Sequence, residues 1–169
     1  MLTRDAILDL ARELDRAHVR YLIVGGVAVV AHGYVRLTTD LDLVLDLETE
    51  NIRLALFCFV TLGYRPRENV AISDFKDPSK RQMWKDQLGK LTFTLGKDSP
   101  IGPVAIDLFL FAPFPFEEAW NDAAWQSYPE GIRFPCVDLG RLLAMKRASS
   151  RPKDSLDVDE LCKIHGIKR

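Results

Sequence analysis

Apolar residues recur every third or fourth position at Ile7, Leu8, Leu10, Ala11 and Leu14. This period predicts an amphipathic helix from Thr3 to about Ala17, with Thr3 as its cap. The pattern then changes. "RYLIVGG" is an unbroken apolar run closed by two glycines and reads as a short buried strand. "VAVVAHG" reads as a compact helix stopped by Gly33. "DLDLVLDL" alternates, which is a strand pattern. Residues 49–62 form the next helix, stopped by Gly63. A polar stretch follows, and then a helix over about 78–88 with Asp77 as cap and Pro78 in its first turn. "KLTFTLG" and "VAIDLFLF" read as strands joined by a Gly/Pro-rich turn. "PFEEAW" is a short helix and "IRFPCV" a minor strand. "DLGRLLAMKRASS" and "DSLDVDELCKIHG" are two closing helices separated by "RPK". Strands alternating with helices, a late hairpin and a helical tail predict an α+β protein with a mixed sheet and helices packed on it. The 169 residues fit one domain, with a core over about 3–112 and a C-terminal helical part over about 113–169.

Composition narrows the function classes only modestly. At 47% hydrophobic residues the chain can bury a real core, and a net charge of −1 gives it no global field for nucleic acid or membrane. The charge is nonetheless zoned. Residues 64–97 and 141–169 each carry eight Lys/Arg against four Asp/Glu, whereas the stretch around residue 40 is acidic. Separate zones would suit a metal-bound polyphosphate, and solvated surface charge explains them equally. Cys58, Cys136 and Cys162 lack CxxC spacing, which argues against a disulfide framework or structural zinc and for a reduced, cytoplasmic protein. The charged N-terminus is not a signal peptide, and no run approaches the roughly twenty apolar residues of a membrane span.

The chemistry begins with Asp40 and Asp42. Two apart on a strand, they project to one face while Leu41 and Leu43 take the other. Paired carboxylates repel and are costly to desolvate, so a divalent cation between them would make sense of the placement. A lone Asp-x-Asp reads first as exposed surface, but Asp107 interrupts the second apolar strand in the same way. Three strand-borne aspartates make a hard-oxygen site suited to Mg²⁺. Asp46 shares their parity but lies at the far end and reads as structural, with Glu48 and Glu50 as helix-start acids. Gly25-Gly26, between a strand and a helix, would let backbone N–H groups approach a phosphate, or would serve simply as a packing turn; it lacks the Lys-Ser/Thr of a P-loop. Lys146 falls in the middle of the apolar face set by Leu139, Leu142 and Leu143. It needs either an anion, which a triphosphate would supply, or a snorkelling route to solvent. Arg36, Thr38 and Thr39 precede the aspartates and could touch phosphate, with a plain surface role open for Arg36. Asp154 reads as an N-cap that could also orient Lys146. His18, His32 and His165 show no metal-ligand pattern, and Trp84, Trp120 and Trp125 read as packing anchors.

Gly25-Gly26, thirteen intervening residues, Asp40-Leu41-Asp42 and a later Asp107 together resemble the signature of the DNA polymerase β-like nucleotidyltransferase superfamily. More narrowly, "GGVAVVAHGYVRLTTDLDLVL", "VAIDLFLFAPFPFEEAW" and "LLAMKRASSRPKDSLDVDEL" resemble bacterial nucleotidyltransferases of the abortive-infection AbiEii-like group and small stand-alone relatives, over residues 21–165. The resemblance implies a nucleotidyltransferase-fold mixed sheet, two Mg²⁺ ions (or Mn²⁺) and a nucleoside triphosphate substrate. It implies transfer of a nucleoside monophosphate to an acceptor hydroxyl, on tRNA or a partner protein, in a toxin–antitoxin setting. By that analogy Asp40, Asp42 and Asp107 bind metal and Asp107 helps deprotonate the acceptor. Gly25, Gly26, Arg36, Thr39 and Lys146 would contact the nucleotide. Gly26 stands where the wider superfamily often has serine, and the glycine-to-aspartate spacing is long. The alternatives are a non-catalytic binding partner that keeps the fold and an Mg²⁺-dependent phosphohydrolase built on the same acids.

Overall fold

The computed structural model describes residues 2–100, 102–149 and 151–168. Helix α1 spans Arg4–Arg16, and the Thr3 hydroxyl accepts the Ala6 N–H at 3.2 Å, as its sequence predicts. Strand β1 (Tyr21–Val24) runs straight into α2 (Gly25–Ala31), so both glycines belong to the helix start and not to the strand. Strand β2 spans Asp40–Leu45 and α3 spans Thr49–Thr61. After β3 (Arg65–Pro66) and a 3-10 turn (Ile72–Lys76), α4 spans Pro78–Leu88 with the Asp77 carboxylate accepting the Ser79 N–H at 2.8 Å. Strands β4 (Thr92–Lys97) and β5 (Val104–Phe109) lead to α5 (Phe116–Asn121), β6 (Ala124–Ser127) and β7 (Arg133–Cys136). The chain closes with α6 (Leu139–Ala148) and α7 (Pro152–His165).

The seven strands among the described residues form one mixed sheet in the order β3-β4-β5-β2-β1-β7-β6. The β2–β5 and β1–β7 pairs are parallel and the others antiparallel. This is the mixed α/β architecture that the hydrophobic pattern predicts. The β3, β6 and 3-10 segments are additional. β3 and β6 are the two edge strands, and neither carries a long apolar run that would mark it.

Register fixes which face each side chain takes. Val24 lies opposite Asp42 and Leu22 opposite Val44, so these share the aspartate face. Tyr21, Ile23, Leu41, Leu43 and Leu45 point to the other. Leu22, Leu41, Leu43, Ile106 and Leu108 are all sealed from solvent, each contributing about 2 kcal/mol of transfer free energy. The sheet centre is therefore apolar on both faces except where the aspartates interrupt it. Asp46 accepts the Glu48 N–H at 3.2 Å and pairs with Arg20 at 2.9 Å, a structural role at the far end of β2.

Candidate active site

Asp42 and Asp107 are direct partners across the parallel β2–β5 pair, and Asp40 precedes Asp42 by two on the same face. On the other side of β5, Thr94 pairs with Asp107 and its hydroxyl donates to Asp107 Oδ1 at 2.5 Å. The start of α2 closes over the Asp42 carboxylate. Gly25 adopts φ +64°, and a Cβ there would lie 1.9 Å from Asp42 Oδ2. Both its backbone conformation and its contact with the carboxylate therefore require glycine. A Cβ on Gly26 would meet the Thr38 hydroxyl at 2.3 Å, so Thr38 occupies the space that a serine side chain would need at position 26.

Burial, followed by repulsion from Asp40 and Asp107, pushes the Asp42 carboxyl up to about 6. Lys146 and the Gly26 N–H work in the opposite direction without cancelling it.

These groups line a cleft of about 590 Å³, within the range of small-molecule sites. Gly25, Gly26, Arg36, Asp40, Asp42, Asp107 and Lys146 all contribute to its wall, as does Thr38. Thr39 does not. Its hydroxyl lies 3.4 Å from Asp40 Oδ1 on the exposed side, while Thr38, singled out with it from the sequence, lines the cleft.

Lys146 is 5% exposed, and the protein itself supplies its anions. Its Nζ lies 2.6 Å from Asp154 Oδ1 and 2.9 Å from Asp157 Oδ2. Asp157 is also gripped by Arg36, with Nε and Nη2 donating to its two oxygens at 2.6 and 2.8 Å, while Arg36 Nη1 donates to the Leu37 carbonyl. Arg151 Nε also donates to Asp154 Oδ2 at 2.6 Å, so three cations and two carboxylates form one network that ties α6, α7 and the segment before β2 together. Asp154 is not the N-cap of α7. The helix starts at Pro152, and Asp154 lies inside the first turn, fully buried. Burial raises its pKa, but hydrogen bonds from Lys146, Ser149 and Arg151 outweigh that and hold it at about 2. Asp157, likewise buried, is held below the ordinary carboxylate range by Arg36 and Lys146 against its own desolvation. Sequence reasoning passed over Asp157. Its signal was the spacing of Asp154, Asp157, Val158 and Leu161, which puts two acids on the buried face of α7.

Among the described residues, no group of three or more His, Cys, Asp or Glu side chains is set to hold a metal ion unaided. The donor set still fits a hard dication. It consists only of carboxylate oxygens, and their mutual repulsion at Asp42 is what a cation would relieve. Mg²⁺ keeps water and phosphate ligands and requires only one or two carboxylates from the protein. Asp40, Asp42 and Asp107 are the residues that would hold it.

No protein-family model matches the chain, and no curated protein matches it in sequence. Solved structures do match its fold. The lincosamide antibiotic adenylyltransferase LnuA, with lincomycin bound, superposes with a TM-score of 0.57 at 16% identity, over 96% of this chain and 98% of that one. ANT(2")-Ia, in complex with adenylyl-2"-tobramycin, superposes with a TM-score of 0.53 at 15% identity, over 94% of this chain and 87% of that one. The chain has the nucleotidyltransferase fold. No helix among the described residues is long and apolar enough to cross a membrane.

Proposed function

We propose that this chain transfers a nucleoside monophosphate from a nucleoside triphosphate to an acceptor hydroxyl and releases pyrophosphate. The observation that carries this reading is the in-register pair Asp42–Asp107, joined by Asp40 on the wall of a cleft that also contains Gly25, Gly26 and Lys146. Both fold neighbours are adenylyltransferases by name, which makes ATP the first donor to try.

In this reading the glycine turn admits the triphosphate to the cleft, and Arg36, Thr38 and Lys146 line its path. The acceptor oxygen attacks the α-phosphorus and forms a new O–P bond. The bond from the α-phosphorus to the bridging oxygen breaks, and pyrophosphate leaves with the electron pair. Asp107, with Oδ1 held by Thr94, takes the acceptor's proton on its other oxygen. Mg²⁺ or Mn²⁺, two ions in the full site, would supply Lewis-acid stabilisation of the phosphoryl and leaving oxygens.

The AbiEii-like resemblance points to tRNA or a partner protein as acceptor, within a toxin–antitoxin pair in the cytoplasm. The fold neighbours point to a small hydroxylated molecule. The test is incubation with [α-³²P]ATP, Mg²⁺ and candidate acceptors. The native protein should label an acceptor and Asp42→Asn should not, while retaining its circular dichroism spectrum. Equal labelling by the variant would refute the assignment.

A second reading, a non-catalytic partner that keeps the fold, draws on the neutralisation of Arg36 and Lys146 by Asp157 and Asp154. Calorimetry separates the two. Heat on adding Mg·ATP supports the transferase, and a tight complex with a protein encoded next to it, without nucleotide binding, supports the partner.

A further inference from the structure

We infer that the acceptor is a small, uncharged, partly apolar molecule that offers its hydroxyl from the β4–β5 end of the cleft; this rests on the transferase reading above. Displacement at the α-phosphorus is in line, so the attacking oxygen enters opposite the departing pyrophosphate. The lining cations are Arg36, Lys146, Arg151 and Lys153, and all lie in or beside the Asp154–Asp157 network. That end suits the pyrophosphate, and the acceptor then approaches past Asp107 from the β4–β5 side.

The wall there is apolar and uncharged. Phe109 follows Asp107 by two on the same face, and Thr92 is its partner on β4. Leu91 comes next, with its carbonyl fixed by the Leu110 N–H at 3.0 Å, and Pro113 closes the edge. Leu91 is 69% exposed although it lines the cleft, so its apolar surface is available to a ligand. The Thr92 hydroxyl is the polar side-chain group of this stretch and can orient an acceptor hydroxyl. Two lysines close by in the sequence have partners of their own: Lys90 pairs with Glu68, and Lys85 lies over the Phe111 ring. Of the lining residues in this stretch, Leu91, Thr92, Phe109 and Pro113, none is charged, so they offer a polycation no carboxylate and a nucleic-acid backbone no row of cations.

Two neutral probes, octyl β-D-glucoside below its micellar concentration and phenyl β-D-glucoside, test this by calorimetry on the full chain saturated with Mg²⁺ and α,β-methylene-ATP. At least one should bind. Phe109→Ala and the exposed Leu91→Asp should each weaken that binding tenfold or more while leaving the nucleotide Kd unchanged. The inference is overturned if neither glucoside binds while the nucleotide does, or if Phe109→Ala weakens nucleotide instead, which would make this wall the base pocket. It is equally overturned if [α-³²P]ATP labels tRNA or tobramycin and neither glucoside. Failure of the nucleotide itself to bind would strike the transferase reading, a separate result.

Discussion

Asp42 is held in a charge state that the protein alone does not favour. Its carboxyl is raised to about 6, above its unfolded value, so the protonated form is the one that folding favours. The associated stability is complete below about pH 4 and is lost as pH rises through about 6, and it amounts to roughly 2–3 kcal/mol. In EDTA at pH 8, Asp42→Asn should therefore melt several degrees above the native protein, with the gap closing near pH 4, even though the same variant transfers no nucleotide. A lower melting temperature for the variant at pH 8 would contradict this account. Gly25 gives the opposite outcome. Gly25→Ala forces a Cβ into Asp42 Oδ2 at a positive φ, so activity should fall at least a hundredfold, with about 1–3 kcal/mol lost in urea denaturation. The three aspartates were legible in the sequence because a charge in an alternating apolar run can only face one way. Which of Thr38 and Thr39 lines the cleft was not, because the segment between α2 and β2 has no period from which a direction could be read.

The regular elements that a period could announce, α1, β2, α3, α4, β4 and β5, lie within a residue or two of their predicted limits. β3 and β6 escaped because edge strands of two and four residues bury too little to leave an apolar signature. The start of α7 was misplaced because Pro152 opens the helix as its first residue, which "RPK" as a separator concealed. That two-residue difference turns Asp154 from a cap into half of a buried ion network. For Lys146 the sequence left an anion and a snorkelling route open, with Asp154 as a residue that could orient it; the structure gives it two anions, Asp154 and Asp157, both from α7. Lys146→Met should cost about 3–5 kcal/mol, because Asp154 and Asp157 would be left buried and short of countercharge. Adding Asp154→Leu should restore part of that loss, and strictly additive losses in chemical denaturation would argue against the coupling. The native network should also weaken in acid. Asp154 contributes stability above about pH 4 that is lost as pH falls through about 2.

At the scale of the whole molecule, the cleft is assembled from distant parts of the chain. α2 brings the glycines and β2 two aspartates, β5 brings the third, and α6 brings Lys146. A ligand that spans these parts stabilises them together. Saturating Mg·ATP at a hundredfold its Kd should add about 2.7 kcal/mol, or roughly 5–10 °C in melting temperature. Asp42→Asn should abolish the Mg²⁺-dependent part of that shift, and an equal shift in the variant would place the nucleotide elsewhere. Net charge said little about any of this, because the charges that matter cancel within the buried network. The Arg36–Asp157 clasp joins residues 121 positions apart. During synthesis, a ribosome that has delivered all three aspartates has still not delivered the clasp. A chain halted before Asp157, by a premature stop or a stalled ribosome, carries the acids without the residue that anchors Arg36.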